Sequence, residues 1–232
     1  MLLRVIDVET GYKNKQVLFG VSLDLGQREM VAVLGHNGAG KSTLLSAIYG
    51  LLPIYRGKVE FRGEDITEKK IWSNVQKGLV LVPGGHQVFG ELSVMENLKI
   101  VKGIHQQENF DGRLHEVFRL FPRVEQRKLQ MARTLSGGEQ QMLAIAMGLV
   151  MKPTLLVLDE PSLGLAPRMV ANIMETIQFI NKEYEVSILL VEQNIKCALD
   201  ISSRVYVMRL GKIIMQTSAE ELRKRESYVD LF

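Results

Sequence analysis

The chain has 232 residues, 46% hydrophobic and 24% charged, a size and balance that suit one domain burying roughly 70% of its unfolded surface and that exclude a disordered chain. A net charge of +3 excludes a strongly basic nucleic-acid binder, since the one basic cluster, Arg223-Lys224-Arg225, is flanked by Glu220, Glu221 and Glu226 and reads as a solvated helix face. The single cysteine, Cys197, excludes an internal disulfide, and the apolar runs fall far short of the ~20 residues of a membrane helix.

Asp7 interrupts an N-terminus that has no cationic start followed by an apolar stretch, so no signal peptide is predicted and a cytosolic location is expected. Residues 2–30 predict short strands punctuated by Gly11, Gly20 and Gly26, with Val21, Leu23 and Leu25 alternating onto one face of an antiparallel β layer. The apolar run 31–34 enters a glycine-rich loop and then a helix over 41–49, ended by Gly50 and Pro53. Residues 57–61 read as a strand, Thr67 as the N-cap of a helix stopped by Gly78, and 79–82 as a second core strand. Ser93 and Glu96 have capping-box spacing and open a mostly helical stretch to about residue 151, where Leu114, Val117, Phe118 and Phe121 share one face. Beyond Pro153, strands at 155–158 and 186–191 alternate with helices from Pro167 to about 182 and through Ala198, which predicts a mainly parallel sheet covered by helices. A strand over 205–209, the turn Leu210-Gly211, a strand over 212–215 and a helix capped by Ser218 complete the chain. No repeat is present, so one nucleotide site per chain is expected.

Gly35-His36-Asn37-Gly38-Ala39-Gly40-Lys41-Ser42 matches the phosphate-loop pattern between an apolar strand and a helix. Without β-carbons the backbone can curl its amides, and the helix N-terminus behind them, toward phosphate oxygens. Lys41 is suited to the β- and γ-phosphates, Ser42 offers a hydroxyl to Mg2+, and Thr43 adds a donor. Leu155-Leu156-Val157-Leu158-Asp159-Glu160 places two carboxylates at the C-terminal edge of a buried strand, where open α/β sheets bind ligands. Asp159 is suited to hold magnesium and Glu160 to orient or deprotonate a water; alone, such a pair is usually a helix cap. Leu135-Ser136-Gly137-Gly138-Glu139-Gln140-Gln141 opens another helix, and Ser136 with the glycine amides makes a second anion-binding N-terminus. Met142, Ile145 and Leu149 read as core packing, and the four histidines lack metal-site spacing.

These motifs together resemble an ABC-family ATPase over nearly the whole chain. The resemblance implies a RecA-like P-loop NTPase of α/β class, with an N-terminal antiparallel β subdomain, a core from 1–88 and 152–232, and a helical subdomain over 89–151. It implies that Ser136, Gly137, Gly138 and Glu139 of one subunit cap the γ-phosphate of an ATP held by the other's phosphate loop. Tyr12 matches the family's adenine-stacking aromatic, and His36 is expected to face solvent or the neighbouring subunit. Phe121-Pro122-Arg123, Pro161-Ser162-Leu163-Gly164-Leu165-Ala166-Pro167 and Leu190-Val191-Glu192-Gln193-Asn194 are similar to the shorter ATPase of branched-chain amino acid importers and of the related urea and amide importers. That branch implies membrane permeases, a second ATPase subunit, more readily a different one than a copy, and indirectly a periplasmic binding protein.

Three positions depart from the wider family. Gln193 stands where a switch histidine is usual, Ala166 replaces an aspartate, and Gly84-Gly85 follows Val82-Pro83 where Gln or Glu is expected. A glycine offers no side-chain ligand, so looser coupling of hydrolysis to transport is expected, with Gln87 three residues late for the same task. A regulatory module that closes on ATP with weak hydrolysis is the alternative these departures motivate. A soluble translation or repair ATPase would require duplicated units, coiled coils or zinc cysteines, which the chain lacks.

Overall fold

A computed structural model describes residues 1–13, 15–85, 87–103, 109–225 and 228. Strands β1 (Leu3–Tyr12) and β2 (Lys15–Leu25) form a hairpin, pairing Leu3 with Leu25, and β3 (Met30–Leu34) leads into helix α1 (Lys41–Tyr49). Then follow β4 (Ile54–Phe61), β5 (Glu64–Asp65), α2 (Ile71–Gln76), β6 (Leu79–Val82), α3 (Val94–Ile100), α4 (Phe110–Leu120), α5 (Pro122–Gln126) and α6 (Gly137–Val150). The chain continues through β7 (Leu155–Asp159), α7 (Pro167–Glu183), β8 (Ser187–Glu192), α8 (Ile195–Ile201), β9 (Arg204–Arg209), β10 (Lys212–Ser218) and α9 (Ala219–Arg223).

Two sheets result. One is antiparallel, in the order β2-β1-β4-β5; the other runs β10-β9-β3-β8-β7-β6 and is parallel except for β10. The parallel strands are apolar on both faces, as buried α/β strands must be. Ala32, Leu34, Leu156, Leu158, Ile188 and Leu190 face the core shared with α3, α4, α6 and α7. Their alternating neighbours Val31, Val33, Leu155, Val157, Leu189 and Val191 face a second core built with α1 and the antiparallel layer. Among the described residues no helix is long and apolar enough to cross a membrane.

The expected helical stretch after Ser93 is several short helices with 3-10 turns at Val101–Gly103 and Ala132–Thr134. Residues 128–132 run beside the start of α3 instead of forming helix: Lys128 and Gln130 carbonyls accept the Met95 and Val94 amides at 2.9 Å each, satisfying first-turn donors that α3 cannot pair internally. The capping box of Ser93 and Glu96 is present. Thr67 is not a helix cap. Asp65 accepts both its amide and its hydroxyl, at 2.9 and 2.6 Å, in a side-chain turn that competes with capping, and α2 begins later behind Lys70.

Candidate functional site

Because β3, β8 and β7 are neighbours in one parallel sheet, their C-terminal ends converge: Leu34 pairs with Glu192, and Asp159 with Val191. The phosphate loop, the two carboxylates and the segment from Glu192 to Asn194 therefore meet at one edge, where such sheets bind ligands. In the loop, Gly40 precedes α1 at a φ of 104° that a β-carbon disfavours, and no side chain caps the helix, so its first amides remain available to an anion. Gly35 lies so close to Met208 that a β-carbon would come within 2.5 Å of its carbonyl oxygen. His36, Asn37 and Gly38 are exposed at the rim, while Ala39 is buried beneath it.

Lys41 is only 4% exposed; its ammonium donates to the Gly35 and His36 carbonyls at 2.8 and 3.1 Å and pairs with Glu160 at 2.9 Å. A cavity of about 660 Å³ opens beside it, with Lys41, Ser42, Thr43 and Glu160 on one side and Val17 and Phe19 of β2 on another. The wall from β2 and from the β9–β10 turn was missed in the sequence. Gly211 donates to the Ala39 carbonyl at 2.8 Å and accepts from the Phe19 amide at 3.0 Å, binding loop, strand and turn together. Phe19 is half-exposed on β2, and no pattern in the sequence marked it for this wall. Tyr12, 51% exposed, does not line this cavity; it pairs across the hairpin with Lys15, which does.

Burial is the main cause that pushes the Asp159 carboxyl up; Glu160 adds to it, while a hydrogen bond from Ser42 and the charge of Lys41 oppose it. Among the described residues Asp159 Oδ1 is buried with no hydrogen-bond partner. Glu160 follows at a φ of 44°, a conformation rare outside glycine, and its amide donates to the Val191 carbonyl at 2.8 Å. Glu160 and Gln193 also share a cleft of about 260 Å³ with Ser162, Leu163, Gly164 and Glu192.

Ser136 is exposed and caps α6, exchanging hydrogen bonds with Glu139 in a capping box. The Glu139 carboxylate turns back onto the Ser136 amide at 3.0 Å and pairs with Arg127 at 2.9 Å, so what this stretch offers an anion is the helix end with Ser136, Gly137 and Gly138. Burial raises the Glu139 carboxyl, but the bonds from Ser136 and the charges of Arg127 and Arg123 leave it below its ordinary value. None of residues 135–141 lines the cavity beside Lys41.

A phosphate loop joined to a carboxylate-bearing strand in a parallel sheet defines a P-loop nucleoside triphosphatase. The ABC transporter family profile matches residues 18–163, and the chain belongs to this family of transporter ATPases. It is 39% identical to the high-affinity branched-chain amino acid transport ATP-binding protein BraG of Pseudomonas aeruginosa, over 96% of this chain and 97% of that one. It is 37% identical to the probable branched-chain amino acid transport ATP-binding protein LivF of Archaeoglobus fulgidus, over 99% and 98%. A crystal structure of an ATP-binding cassette of an ABC transporter in its ADP conformation superposes with a TM-score of 0.88 over 99% of this chain and 97% of that one; at 24% identity it shows the shared fold.

Proposed function

We propose that the chain is the ATP-hydrolysing subunit of an importer of branched-chain amino acids, acting from the cytoplasmic face through separate permease subunits. The observation that carries the hydrolytic reading is the buried Lys41 ammonium and the Glu160 carboxylate, 2.9 Å apart at the mouth of one cavity. A γ-phosphate at Lys41 competes with Glu160 for that ammonium, which frees the carboxylate to orient and deprotonate a water. The loop amides with Asn37, Gly38, Lys41 and Thr43 hold the phosphates, Tyr12 stacks on the base, and the Gln193 amide donates to the γ-phosphate. Positioning and charge neutralisation supply most of the acceleration.

Magnesium fits: the buried Asp159 Oδ1 has no hydrogen-bond partner among the described residues, and the Ser42 hydroxyl acts on the same carboxylate, lowering its pKa against the effect of burial. Ser42 and Asp159 would hold the ion, which supplies positive charge to the phosphate oxygens. Ser136 and the amides of Gly137 and Gly138 serve an ATP held by the facing subunit, a reading supported by the exposure of Ser136 and by the position of all three outside the lining of this chain's cavity. That facing subunit is a second ATPase of the same family, and a solute-binding protein delivers the amino acid on the far side of the membrane. The names of the two relatives support the amino acid class.

The test uses the chain co-purified with its permeases in lipid vesicles. Phosphate release should be steady, rise when leucine and its binding protein are supplied, and vanish in Glu160→Gln while ATP binding persists. Stimulation by urea or an amide instead would redirect the substrate class. Release undiminished in Glu160→Gln would remove that residue as base, and ATP-dependent closure without turnover would favour the regulatory module.

A further inference from the structure

The hydrolytic roles above leave one buried charge without a task. Glu192, the last residue of β8, is 1% exposed and touches no cation in an ion pair among the described residues. Its carboxylate is instead saturated by donors from two loops. Oε1 accepts the Ser162 amide at 3.0 Å; Oε2 accepts the Ser162 hydroxyl at 2.9 Å and the amides of Gln193 and Asn194 at 3.2 and 3.3 Å. Three of the four donors converge on Oε2 and one meets Oε1. Three are amides and one is a hydroxyl, so an acceptor-only group is what both loops require.

The two loops carry the residues assigned to the γ-phosphate side of the reaction. Ser162 stands two positions after Glu160, and Gln193 directly follows Glu192. Glu160 itself is held at a φ of 44°, a costly conformation that persists only where the surroundings impose it. The surroundings here are visible: the Glu160 amide is bonded to the Val191 carbonyl, and the chain two residues on is bonded to Glu192. Both anchors are consecutive residues at the end of β8. The strand end thus fixes the backbone on either side of the Glu160 side chain and, through the same carboxylate, the backbone of the switch position.

We propose that Glu192 is a positioning residue for ATP hydrolysis, a four-bond anchor that sets Glu160 and Gln193 at a fixed relative position across the cleft where the attacking water is activated. This rests on the ATPase reading. Among the described residues Glu192 makes no hydrogen bond to a phosphate-loop amide and no ion pair with Lys41, so its loss should act on turnover and spare nucleotide affinity.

Glu192→Gln is the informative change, because it keeps size and replaces one acceptor by a donor that faces amide donors. Steady-state phosphate release and binding of a fluorescent ATP analogue would be measured for the native chain, Glu160→Gln, Glu192→Gln, Ser162→Ala and the Glu192→Gln/Ser162→Ala double variant, with melting temperatures for each. Glu192→Gln should lower kcat by about tenfold or more with KM and analogue affinity within about twofold, and Ser162→Ala by about two- to fivefold. The double variant should be no slower than Glu192→Gln alone, since both changes cut the same anchor. Native turnover in Glu192→Gln, a matched loss of affinity and melting temperature, or additive effects in the double variant would each overturn the proposal. A native chain without turnover would instead remove the ATPase reading and this inference with it, an outcome visible before any Glu192 variant is compared.

Discussion

Gly84 shows how one residue changes meaning once its neighbours are known. Read as a sequence, it is a missing side chain at a position where an amide or carboxylate could reach magnesium. In the structure it lies against the end of β7, whose Asp159 carboxylate is proposed to hold magnesium: a β-carbon there would stand 2.9 Å from the Asp159 carbonyl oxygen and 3.8 Å from its Cγ. Backbone on backbone leaves little freedom to relax, so even Gly84→Ala should displace Asp159 or the 83–85 loop. The expected cost is about 1–3 kcal/mol in denaturant unfolding, accompanied by a fall in ATP turnover. A variant as stable and as active as the native chain would show that the loop moves freely. Gly84→Glu, the natural test of loose coupling, carries the same steric displacement, so it needs Gly84→Ala beside it; equal transport per ATP in Gly84→Glu and the native chain would count against loose coupling.

Among the elements, one guanidinium ties the antiparallel layer to the parallel sheet at the rim of the core they share. Arg204 at the start of β9 donates to Glu29 through two nitrogens at 2.9 and 3.0 Å, to Asp24 at 2.9 Å and to the Tyr206 hydroxyl at 2.9 Å. The Arg204 hydrogen bond is the largest cause holding the Asp24 carboxyl below its ordinary value of 3.8, against the opposing effect of burial. A carboxyl depressed in the folded state stabilises it fully above the unfolded value and loses that contribution as pH falls through the lower folded value. Melting temperature followed from neutral pH down through the carboxylate range should therefore drop less steeply in Asp24→Asn than in the native chain. Parallel curves would mean that the contact contributes nothing to the acid side of stability. The β9–β10 turn has a related task at the other end, since Gly211 holds the phosphate loop at Ala39 and β2 at Phe19.

For the whole molecule the central geometric fact is that the two helix starts proposed to meet phosphate, those of α1 and α6, do not share a cavity. The α1 start opens beside Lys41, and the α6 start at Ser136 lies on the helical layer. If the latter serves a facing subunit, Ser136→Arg should lower turnover by about tenfold or more while the isolated chain keeps its affinity for ATP within about twofold. Loss of affinity in the isolated chain would place Ser136 at its own chain's phosphates.

Much of this was legible because the signals are local. The phosphate loop, the apolar strand ending in Asp159 and Glu160, and the capping box of Ser93 with Glu96 each act within a few residues, where spacing dictates which groups can meet. Thr67 failed at the same range, because Asp65 offered its amide and hydroxyl a nearer partner than a helix. By itself the sequence determined the α/β class, the phosphate loop with its carboxylates and the signature helix start. Tertiary structure alone decided that Phe19 and Gly211 wall the cavity, that Gly84 abuts Asp159, and that Glu192 gathers Ser162 and Gln193. The physical reason is that a buried carboxylate is costly without hydrogen-bond donors, and the donors that meet Glu192 come from segments thirty residues apart that meet only when β7 and β8 lie side by side.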